Sequence, residues 1–438
     1  MAAKRQRDGR RLLNRRSSFY LGVLTLCLAL GVTVQTRAAK YDHFANGVTT
    51  YEGSKTCNQC HLDKAKEVYA SEHYQWKGKL GAINDFCTYP DSKWLFNFPI
   101  GSQGAAGCAA CHVGIGDTKP PFPQEATQEA LDKIDCLMCH SDSYNHVGQM
   151  VNGQPFLVPD MASVNTMPAI LSGIGKPSKA ACLKCHAKAG GGNGIKQGDL
   201  DLSLANPDVS VDVHMSSEGA NLSCVSCHRT QAHRIAGKGN DLRVADSSAK
   251  VSCTNCHGSR PHRRINEDLD KHREKVDCTV CHIPAFAKAV VTELRRDNEY
   301  PELLAGKYEG KRTLGANLAP QILKYDGNSF FYKYNTAMSV KAPDGNFLMA
   351  GPTSVVPRVK LKNPKYYPFK VHTARMAVDS QNRIIPIQAQ TFWSSGVIEG
   401  EISKFVEVTR YLGLYHQVAP KAQAYKTCVQ CHRNGIPD

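Results

Sequence analysis

The sequence predicts a mainly α-helical fold with extensive irregular loops and one long insertion that contains some β-structure. Helical periodicity is confined to short stretches, such as residues 62–76 and 123–134. Short β-like runs, at 287–294 and 383–390, fall within residues 283–425. Cysteines recur through the rest of the chain at short intervals. We therefore expect the fold to be stabilised by something other than packing between long helices and strands.

Composition limits the class of protein. Apolar residues make up 42% of the 438 residues, which is too many for a disordered chain and too few for a multispan membrane protein. Eighteen cysteines are a high number, yet the chain is much longer than a small scaffold held by disulfides. We therefore expect the cysteines to bind a group.

Residues 1–39 are predicted to be a signal peptide. Seven basic residues precede an apolar run at 19–34, and Ala38 and Ala39 offer a cleavage point. The run is shorter than the roughly 20 residues that a membrane span needs. We predict export to the periplasm or the cell exterior, with membrane contact only if this segment stays uncleaved.

Sixteen of the eighteen cysteines belong to eight copies of the motif Cys-x-x-Cys-His. The cysteine pairs are Cys57/Cys60, Cys108/Cys111, Cys136/Cys139, Cys182/Cys185, Cys224/Cys227, Cys253/Cys256, Cys278/Cys281 and Cys428/Cys431. The histidines that follow them are His61, His112, His140, His186, His228, His257, His282 and His432.

This motif is typical of c-type haem attachment. Two thiols add to the two vinyl groups on one edge of a porphyrin, and the adjacent histidine reaches the iron from one side of the ring. Zinc ribbons and redox dithiols also use paired cysteines, but neither requires a histidine directly after the second cysteine. The sequence therefore predicts eight covalently bound haem c groups in a multihaem cytochrome c fold wrapped around them.

Motif positions suggest the domain organisation. Residues 40–282 contain seven motifs and form the predicted haem-wrapping region, and residues 426–438 contain the eighth. Residues 283–425 lack the motif and are expected to cover the haem stack and to supply distal ligands. Porphyrin faces provide much of the apolar surface that such a chain buries.

The positive charge does not indicate a nucleic-acid partner. The formal charge of +15 falls to +8 when residues 1–39 are removed, and the haem propionates bring negative charge that offsets the rest. No interleaved pattern of basic and aromatic residues is present.

Nine of the seventeen histidines lie outside the motifs, and eight would be enough to give every haem a second histidine. Haems with two axial histidines are low-spin, pass electrons and have no open iron position. The nine candidates are His43, His73, His146, His214, His233, His262, His272, His372 and His416.

Local stretches across residues 40–438 give the chain a specific resemblance. They are Asn84-Asp85-Phe86-Cys87, Gly190-Gly191-Gly192-Asn193-Gly194, Gly198-Asp199-Leu200-Asp201, Asp212-Val213-His214-Met215, Lys271-His272, Cys281-His282-Ile283-Pro284-Ala285-Phe286 and His416-Gln417-Val418-Ala419-Pro420-Lys421. Together with the motif order, they make the chain resemble the octahaem tetrathionate-reductase-type cytochromes. That family is related in haem packing to octahaem hydroxylamine oxidoreductases.

The resemblance implies seven distal histidines and one active haem, which is attached at Cys108, Cys111 and His112. The seven are His43, His73, His214, His233, His262, His272 and His416. In the family the active haem has a nearby cysteine and asparagine, matched by Cys87 and Asn84, and a distal lysine shortly after the third motif. Here His146 occupies the position of that lysine, and Asp142 or Ser143 stands near the family's pocket aspartate.

Two functions follow as hypotheses. If His146 ligates the second iron, the protein is an electron carrier with eight bis-His haems. If His146 does not reach the iron, it serves as a proton donor. The haem of His112 would then reduce a small sulfur or nitrogen oxo-compound, with Asn84, Cys87, His146 and Asp142 as catalytic residues. The expected electron donors are redox partner proteins or quinol-linked cytochromes, and oligomer formation is compatible with the sequence.

Four residues have a purely structural alternative to a functional role. Cys87, outside every motif, is either a pocket thiol or a small buried apolar residue. His372 either lines the pocket or lies on the surface. Asp199 and Asp201 either bind calcium or cap a loop, and capping is the preferred interpretation.

Overall fold

The structure is a computed structural model that describes much of the chain from residue 41 onward. The described residues are 41–75, 111, 113–117, 125–152, 154–188, 191–237, 251–264, 267–325, 333–334, 338–341, 347–350, 365–381, 385, 387, 389–425, 427, 429 and 432. The predicted signal peptide lies outside them. The chain from Asp42 to Asp438 forms one unit by its contacts.

The first described helices pack around the third haem motif. Helix α1 (Ser54–Tyr69) is followed by the single turns α2 (Glu72–Gln75), α3 (Gln128–Asp132) and α4 (Leu137–His140). Their buried residues include Tyr69, Tyr74, Ile134, Leu137 and Tyr144. The predicted helix at 62–76 thus begins earlier and breaks at residues 70–71, and only 128–132 of the predicted 123–134 are helical.

A hairpin and further short helices continue the haem-wrapping region. Strands β1 (His146–Val151) and β2 (Gln154–Pro159) pair antiparallel, with His146 opposite Pro159. Helices α5 (Met161–Asn165), α6 (Met167–Ser172) and α7 (Lys179–His186) follow, and then a 3₁₀ turn at Leu202–Ala205. Asp160 and Ser178 cap α5 and α7 through hydrogen bonds from Ser163 N and Ala181 N.

The later motifs also lie on single helical turns. These are α8 (Cys224–Cys227), α9 (Thr254–His257) and α11 (Cys278–His282), and α10 (Glu267–His272) lies between the last two. A two-residue hairpin, β3 (Thr230–Gln231) with β4 (Arg234–Ile235), places His233 in its turn.

Residues 283–425 form a six-stranded sheet in the described part of the chain. The strands are β5 (Thr292–Leu304), β6 (Lys307–Gly315), β7 (Gln321–Tyr325), β8 (Lys333–Tyr334), β11 (Lys365–Val378) and β12 (Lys404–Gly413). Their order is β6-β5-β11-β12-β8, and β7 pairs with the start of β11. Strand β11 runs parallel to β5 and antiparallel to β12. A separate pair joins β9 (Met338–Lys341) to β10 (Phe347–Ala350).

Helix α12 (Ala389–Ser395) packs against the sheet, where Phe392 joins Ala377, Ile387 and Ile398 in a small apolar core. Of the run predicted to be β-like at 383–390, the structure describes residues 385, 387, 389 and 390. The last two begin α12.

The sheet is attached to the haem-wrapping region through backbone hydrogen bonds. Ala287 N donates to Gly198 O, and Asp277 N donates to Tyr366 O just before the seventh motif. Gly198 has φ +78°, and a Cβ there would lie 2.9 Å from a ring carbon of Phe286, so both conformation and space require glycine. Gly198 thus allows the loop to pack closely against Phe286.

The predicted predominance of helix is not what the described residues show. Their helices are short, whereas β5 and β11 have 13 and 14 residues, so helix and strand contribute comparably. Haem motifs need only one helical turn each, and the insertion is more β-rich than its sequence suggests. Among the described residues, no helix is long and apolar enough to cross a membrane.

Candidate haem sites

Each described haem motif is one helical turn. The backbone N–H of His140 donates to Cys136 O at 3.0 Å, that of His228 to Cys224 O at 2.9 Å, and that of His257 to Cys253 O at 3.0 Å. Residues three apart are neighbours on a helix surface, so both cysteines of a motif face the same way. This is the arrangement that two thioether links to one porphyrin edge require.

Six of these motif histidines face a histidine from elsewhere in the chain. Ring centroids are separated by 5.9 to 6.5 Å, and each pair joins one motif histidine to one histidine outside the motifs. The pairs are His61 with His43, His140 with His233, His186 with His73, His228 with His416, His257 with His214, and His282 with His262.

The spacing fits a metal ion held between two imidazoles. Metal–imidazole bonds of about 2 Å on each side, plus roughly 1 Å from nitrogen to ring centre, separate two ring centres by about 6 Å. The residues present therefore fit bis-His haem at six motifs. The six partner histidines all belong to the predicted distal set.

Hydrogen bonds fix the orientation of several of these rings. Nδ1 of His140 donates to Gly175 O, and Nδ1 of His228 donates to Ala236 O, both at 2.8 Å. Binding Nδ1 to an acceptor leaves Nε2 available to the iron. Motif histidines with a resolved Nδ1 partner thus rest on backbone carbonyls.

Three histidines outside the motifs lie beside carboxylates instead. Nδ1 of His233 lies 2.7 Å from Oε2 of Glu67, and Nδ1 of His262 lies 3.3 Å from Oδ1 of Asp270. His416 lies beside Asp199, with 3.5 Å between Nδ1 and Oδ2. A carboxylate partner raises the basicity of an imidazole ligand.

Burial favours the neutral, metal-binding form of several imidazoles. It lowers the pKa values of His73, His140, His228 and His282. His416 differs, because the hydrogen bond and charge of Asp199 outweigh burial and raise its pKa.

Cysteines of different motifs also meet. The thiols of four pairs lie close enough to shift each other's pKa, and each pair joins two motifs. The pairs are Cys57 with Cys136, Cys111 with Cys185, Cys182 with Cys224, and Cys253 with Cys278. With haem attached, these sulfurs would hold the vinyl edges of neighbouring haems.

Cys60, predicted to bind the first haem together with Cys57, is exposed in the structure rather than enclosed in a site. Cys57 is half-buried and meets Cys136, whereas Cys60 lies one turn later on α1, away from the side that buries Ala65 and Tyr69. An exposed thiol is not by itself a binding position, so the structure does not confirm this residue. Its attachment to haem stays a prediction that rests on the motif. Three further predicted haem cysteines are exposed in the same way, namely Cys227, Cys253 and Cys256.

His146 is buried beside the third motif. Its side chain and that of Asp135 are both fully buried, and His146 Nδ1 lies 2.8 Å from Asp135 Oδ2. The hydroxyls of Tyr51 and Tyr144 donate to the same carboxylate, at 2.6 and 2.9 Å. Asp142, by contrast, is exposed and accepts a hydrogen bond from Ser178 Oγ at 2.5 Å.

Other predicted site residues lie outside the described part of the chain. They are Asn84, Cys87, Cys108, His112, Cys428 and Cys431. His272 is described, and its Nδ1 donates to Asp268 O at 2.8 Å. His432 is described, but its two motif cysteines are not.

The structure also bears on the alternatives that the sequence left open for His372, Asp199 and Asp201. His372 is not on the surface: it is buried in β11, with Nε2 2.9 Å from Oε1 of Glu293. Asp201 accepts hydrogen bonds from Ser203 N and Gln417 Nε2, and Asp199 accepts from the backbone N–H of His416, which fits loop capping.

Sequence reasoning missed Asp135 and Glu67. Asp135 stands directly before Cys136, so its proximity to a haem was readable, but its histidine partner was not. Glu67 lies six residues beyond His61 in α1, and its neighbours in the sequence give no sign that it meets His233.

Comparisons with known proteins agree with this geometry. Residues 56–141 match the family described as cytochrome c554 and c-prime, and residues 208–287 match cytochrome c7 and related cytochrome c. The fold is similar to the crystal structure of an octahaem cytochrome c from Shewanella oneidensis, with TM-score 0.66 and 26% identity, covering 91% of this chain and 95% of that one.

An uncharacterized protein of Archaeoglobus fulgidus is 32% identical over 240 residues, which span 44% of this chain and 79% of that protein. The chain therefore belongs to the same family as the Archaeoglobus protein, and it is a multihaem c-type cytochrome.

Proposed function

We propose that the protein is an exported octahaem cytochrome that carries electrons along a chain of bis-His haems. The six histidine pairs, each with the spacing of two ligands on one iron, carry this proposal. We number the haems by their motifs and assign His43, His73, His214, His233, His262 and His416 as distal ligands of haems 1, 4, 6, 3, 7 and 5. His272 and His146 are then the distal ligands for haems 8 and 2.

We infer from contacts between motifs which haems are neighbours along the path of the electrons. Thiol contacts adjoin haem 1 to haem 3, haem 4 to haem 5, and haem 6 to haem 7. Lys184 of the fourth motif donates to Ser141 O, directly after the third motif, which adjoins haem 3 to haem 4. Leu222 N, just before the fifth motif, donates to O of His214, the ligand assigned to haem 6, which adjoins haem 5 to haem 6. Haem 2 joins at haem 4, through Cys111 and Cys185. The order 1-3-4-5-6-7, with haem 2 as a branch, follows.

Six-coordinate haems suit this task. Two strong axial ligands keep iron low-spin and leave no open position for a substrate, so the haems exchange electrons with their neighbours. A redox partner protein or quinol-linked cytochrome supplies the electrons at one end of the chain, in the periplasm or outside the cell.

The surroundings of His146 favour a carrier over a reductase. A fully buried imidazole whose Nδ1 is bound to a carboxylate is arranged like a metal ligand with its outer partner. Such a ligand would close the iron of haem 2.

A reductase is the second candidate, supported by the resemblance at Asn84 and Cys87. Haem 2 would then reduce tetrathionate, nitrite or hydroxylamine, with His146 supplying protons. The exposed position of Asp142, bound to the cap of α7, argues against its predicted part in this pocket.

Reoxidation of the fully reduced protein tests the choice. The haem α-band is followed after tetrathionate, nitrite or hydroxylamine is added separately, and after an outer-sphere oxidant. We expect the outer-sphere oxidant to reoxidise every haem, and we expect no turnover with any of the three substrates. Catalytic reoxidation by any one substrate would establish the reductase instead.

Two variants at one position sharpen the result. His146→Lys restores the lysine ligand of the family. His146→Ala removes the imidazole from the iron and supplies no other ligand. Activity only in the lysine variant would show that the histidine closes the site. Equal activity in the wild type and both variants would contradict ligation by His146.

A further inference from the structure

The backbone places Asp135 beside the second haem motif. Val113, which directly follows His112, accepts a hydrogen bond from Asp135 N at 2.7 Å, and Ile115 N donates to Lys133 O at 2.8 Å. Gly116 forms a further bridge to Leu157 in the hairpin that begins at His146. The segments that carry Asp135 and His146 thus flank the residues after the second motif.

Side-chain contacts join the same motif to the loop that leads to His146. Cys185 Sγ lies 3.9 Å from Cys111 O, and the neighbouring Lys184 donates to Tyr144 O at 2.7 Å. Backbone pairing and these contacts therefore bring the His146 segment beside the second motif.

The carboxylate of Asp135 is held by three donors. Tyr51 donates to Oδ1, while Tyr144 and His146 donate to Oδ2. Each phenol hydroxyl carries one proton, which it donates to this carboxylate. Because a carboxylate can only accept, His146 must carry its proton on Nδ1.

We propose that Asp135 is the positioning residue of haem 2, which fixes the His146 tautomer with Nε2 toward the iron and strengthens that imidazole as a donor. This inference rests on the proposed ligation of haem 2 by His146. A buried carboxylate bound to the outer nitrogen increases electron density on the ligand, and a more basic ligand stabilises ferric iron. Haem 2 would therefore be among the low-potential haems of the chain.

Tyr51 and Tyr144 oppose this effect. Each phenol hydroxyl withdraws negative charge from the carboxylate. With one phenol donor fewer, the carboxylate attracts the Nδ1 proton of His146 more strongly. The cluster therefore predicts two shifts of opposite sign. Neutralising Asp135 raises the reduction potential of haem 2, whereas removing one tyrosine hydroxyl lowers it.

Potentiometric titration and low-spin EPR spectra of the holoprotein test this. In Asp135→Asn we expect the reduction potential of one haem to rise by about 59 mV, which for one electron is a tenfold change in its ferrous-to-ferric ratio. In Tyr144→Phe the same haem should shift downward. Asp132→Asn is the matched control, because its carboxylate binds Asn58 and Gln128 and does not contact His146.

The outcomes separate the two proposals. Shifts of the same sign in both variants, or shifts equal to those of Asp132→Asn, would overturn the role of Asp135. A high-spin haem in the wild type that His146→Ala leaves unchanged would overturn it too. Electron transfer through the other haems would stand in each case. If Asp135→Asn fails to fold, the sign of the Tyr144→Phe shift still decides.

Discussion

Nδ1 of His233 lies 2.7 Å from Oε2 of Glu67, although 166 residues separate them. His233 stands in the β3–β4 turn, where it and Ala232 have φ values of 58° and 48°. Two non-glycine residues in the left-handed region strain the backbone. Helix α1 and this strained turn together hold the ligand assigned to haem 3.

We expect Glu67→Gln to raise the potential of haem 3. A neutral amide makes His233 a weaker donor to ferric iron. The shift should stay below about 59 mV, a tenfold change for one electron, because Glu67 is partly exposed and also binds Lys64. Potentiometric titration measures it. Asp63→Asn on the same helix, with a side chain 92% exposed, should leave the potential unchanged, and equal shifts in both would refute the assignment.

Intact mass spectrometry should find eight haems on the wild-type chain. Each haem requires its own cysteine pair, so a variant with both Cys57→Ser and Cys60→Ser should carry seven. Cys87→Ser is the control, because Cys87 belongs to no motif and its loss should leave eight. A haem lost in that control, or fewer than eight on the wild type, would contradict the count.

Haem attachment could be predicted from the sequence because it is local. Two cysteines and a histidine within five residues determine it, and the structure adds only that they form one helical turn. The distal partners could be counted but not paired: His140 meets His233, and His73 meets His186, through the path of the whole chain. Only the family resemblance identified which histidines belong to the distal set.

The sheet was harder to predict for a different reason. Strand patterns rely on apolar residues alternating with polar ones. Strands β5 and β11 instead bury charged or polar side chains, among them Glu293, Arg296, Lys370 and His372. These buried charged side chains interrupt the alternation, so the sequence predicted only some β-structure in residues 283–425.

Glu293 is the centre of that buried cluster. His372 donates to it at 2.9 Å, and Arg296 donates to both of its oxygens, at 2.9 and 2.6 Å. Burial raises the pKa of Glu293, but the hydrogen bond from His372 and the charge of Arg296 bring it down to about 2. Burial lowers the pKa of His372 to about 4.

Both shifts make stability fall as pH falls. The unfolded chain protonates His372 near its ordinary pKa of 6.5, and the folded chain only near 4. Glu293 is protonated near 4.5 when unfolded and near 2 when folded. The folded state therefore loses the His372 contribution between pH 6.5 and 4, and that of Glu293 between 4.5 and 2.

We expect Glu293→Gln to lower the free energy of unfolding at pH 7 by about 3–5 kcal/mol, because it leaves buried arginines without their carboxylate. The difference from wild type should shrink below pH 4.5. Denaturant unfolding at several pH values measures it. Glu299→Gln, which removes a partly exposed partner of Arg375, should have a much smaller effect. A difference that persists to pH 2 would contradict the low pKa of Glu293.

Lys184 connects the fourth haem motif to the loop that leads to His146. It lies between Cys182 and Cys185, and its ammonium donates to Ser141 O at 2.5 Å and to Tyr144 O at 2.7 Å. Burial lowers its pKa, although neighbouring acidic groups counteract the effect. A positive charge inside the fourth haem motif thus holds the loop that follows the third motif.

We expect Lys184→Met to keep its haem, because both cysteines and His186 remain. Two carbonyls would lose a charged donor, at about 1–3 kcal/mol each, and the free energy of unfolding should drop accordingly. Since Tyr144 and His146 share this loop, part of haem 2 should become high-spin in the EPR spectrum. Lys188→Met, at an exposed position one turn later, is the control. Lower stability with a fully low-spin haem 2 would show that the loop holds His146 without Lys184, because Asp135 alone is then enough to keep the imidazole in place.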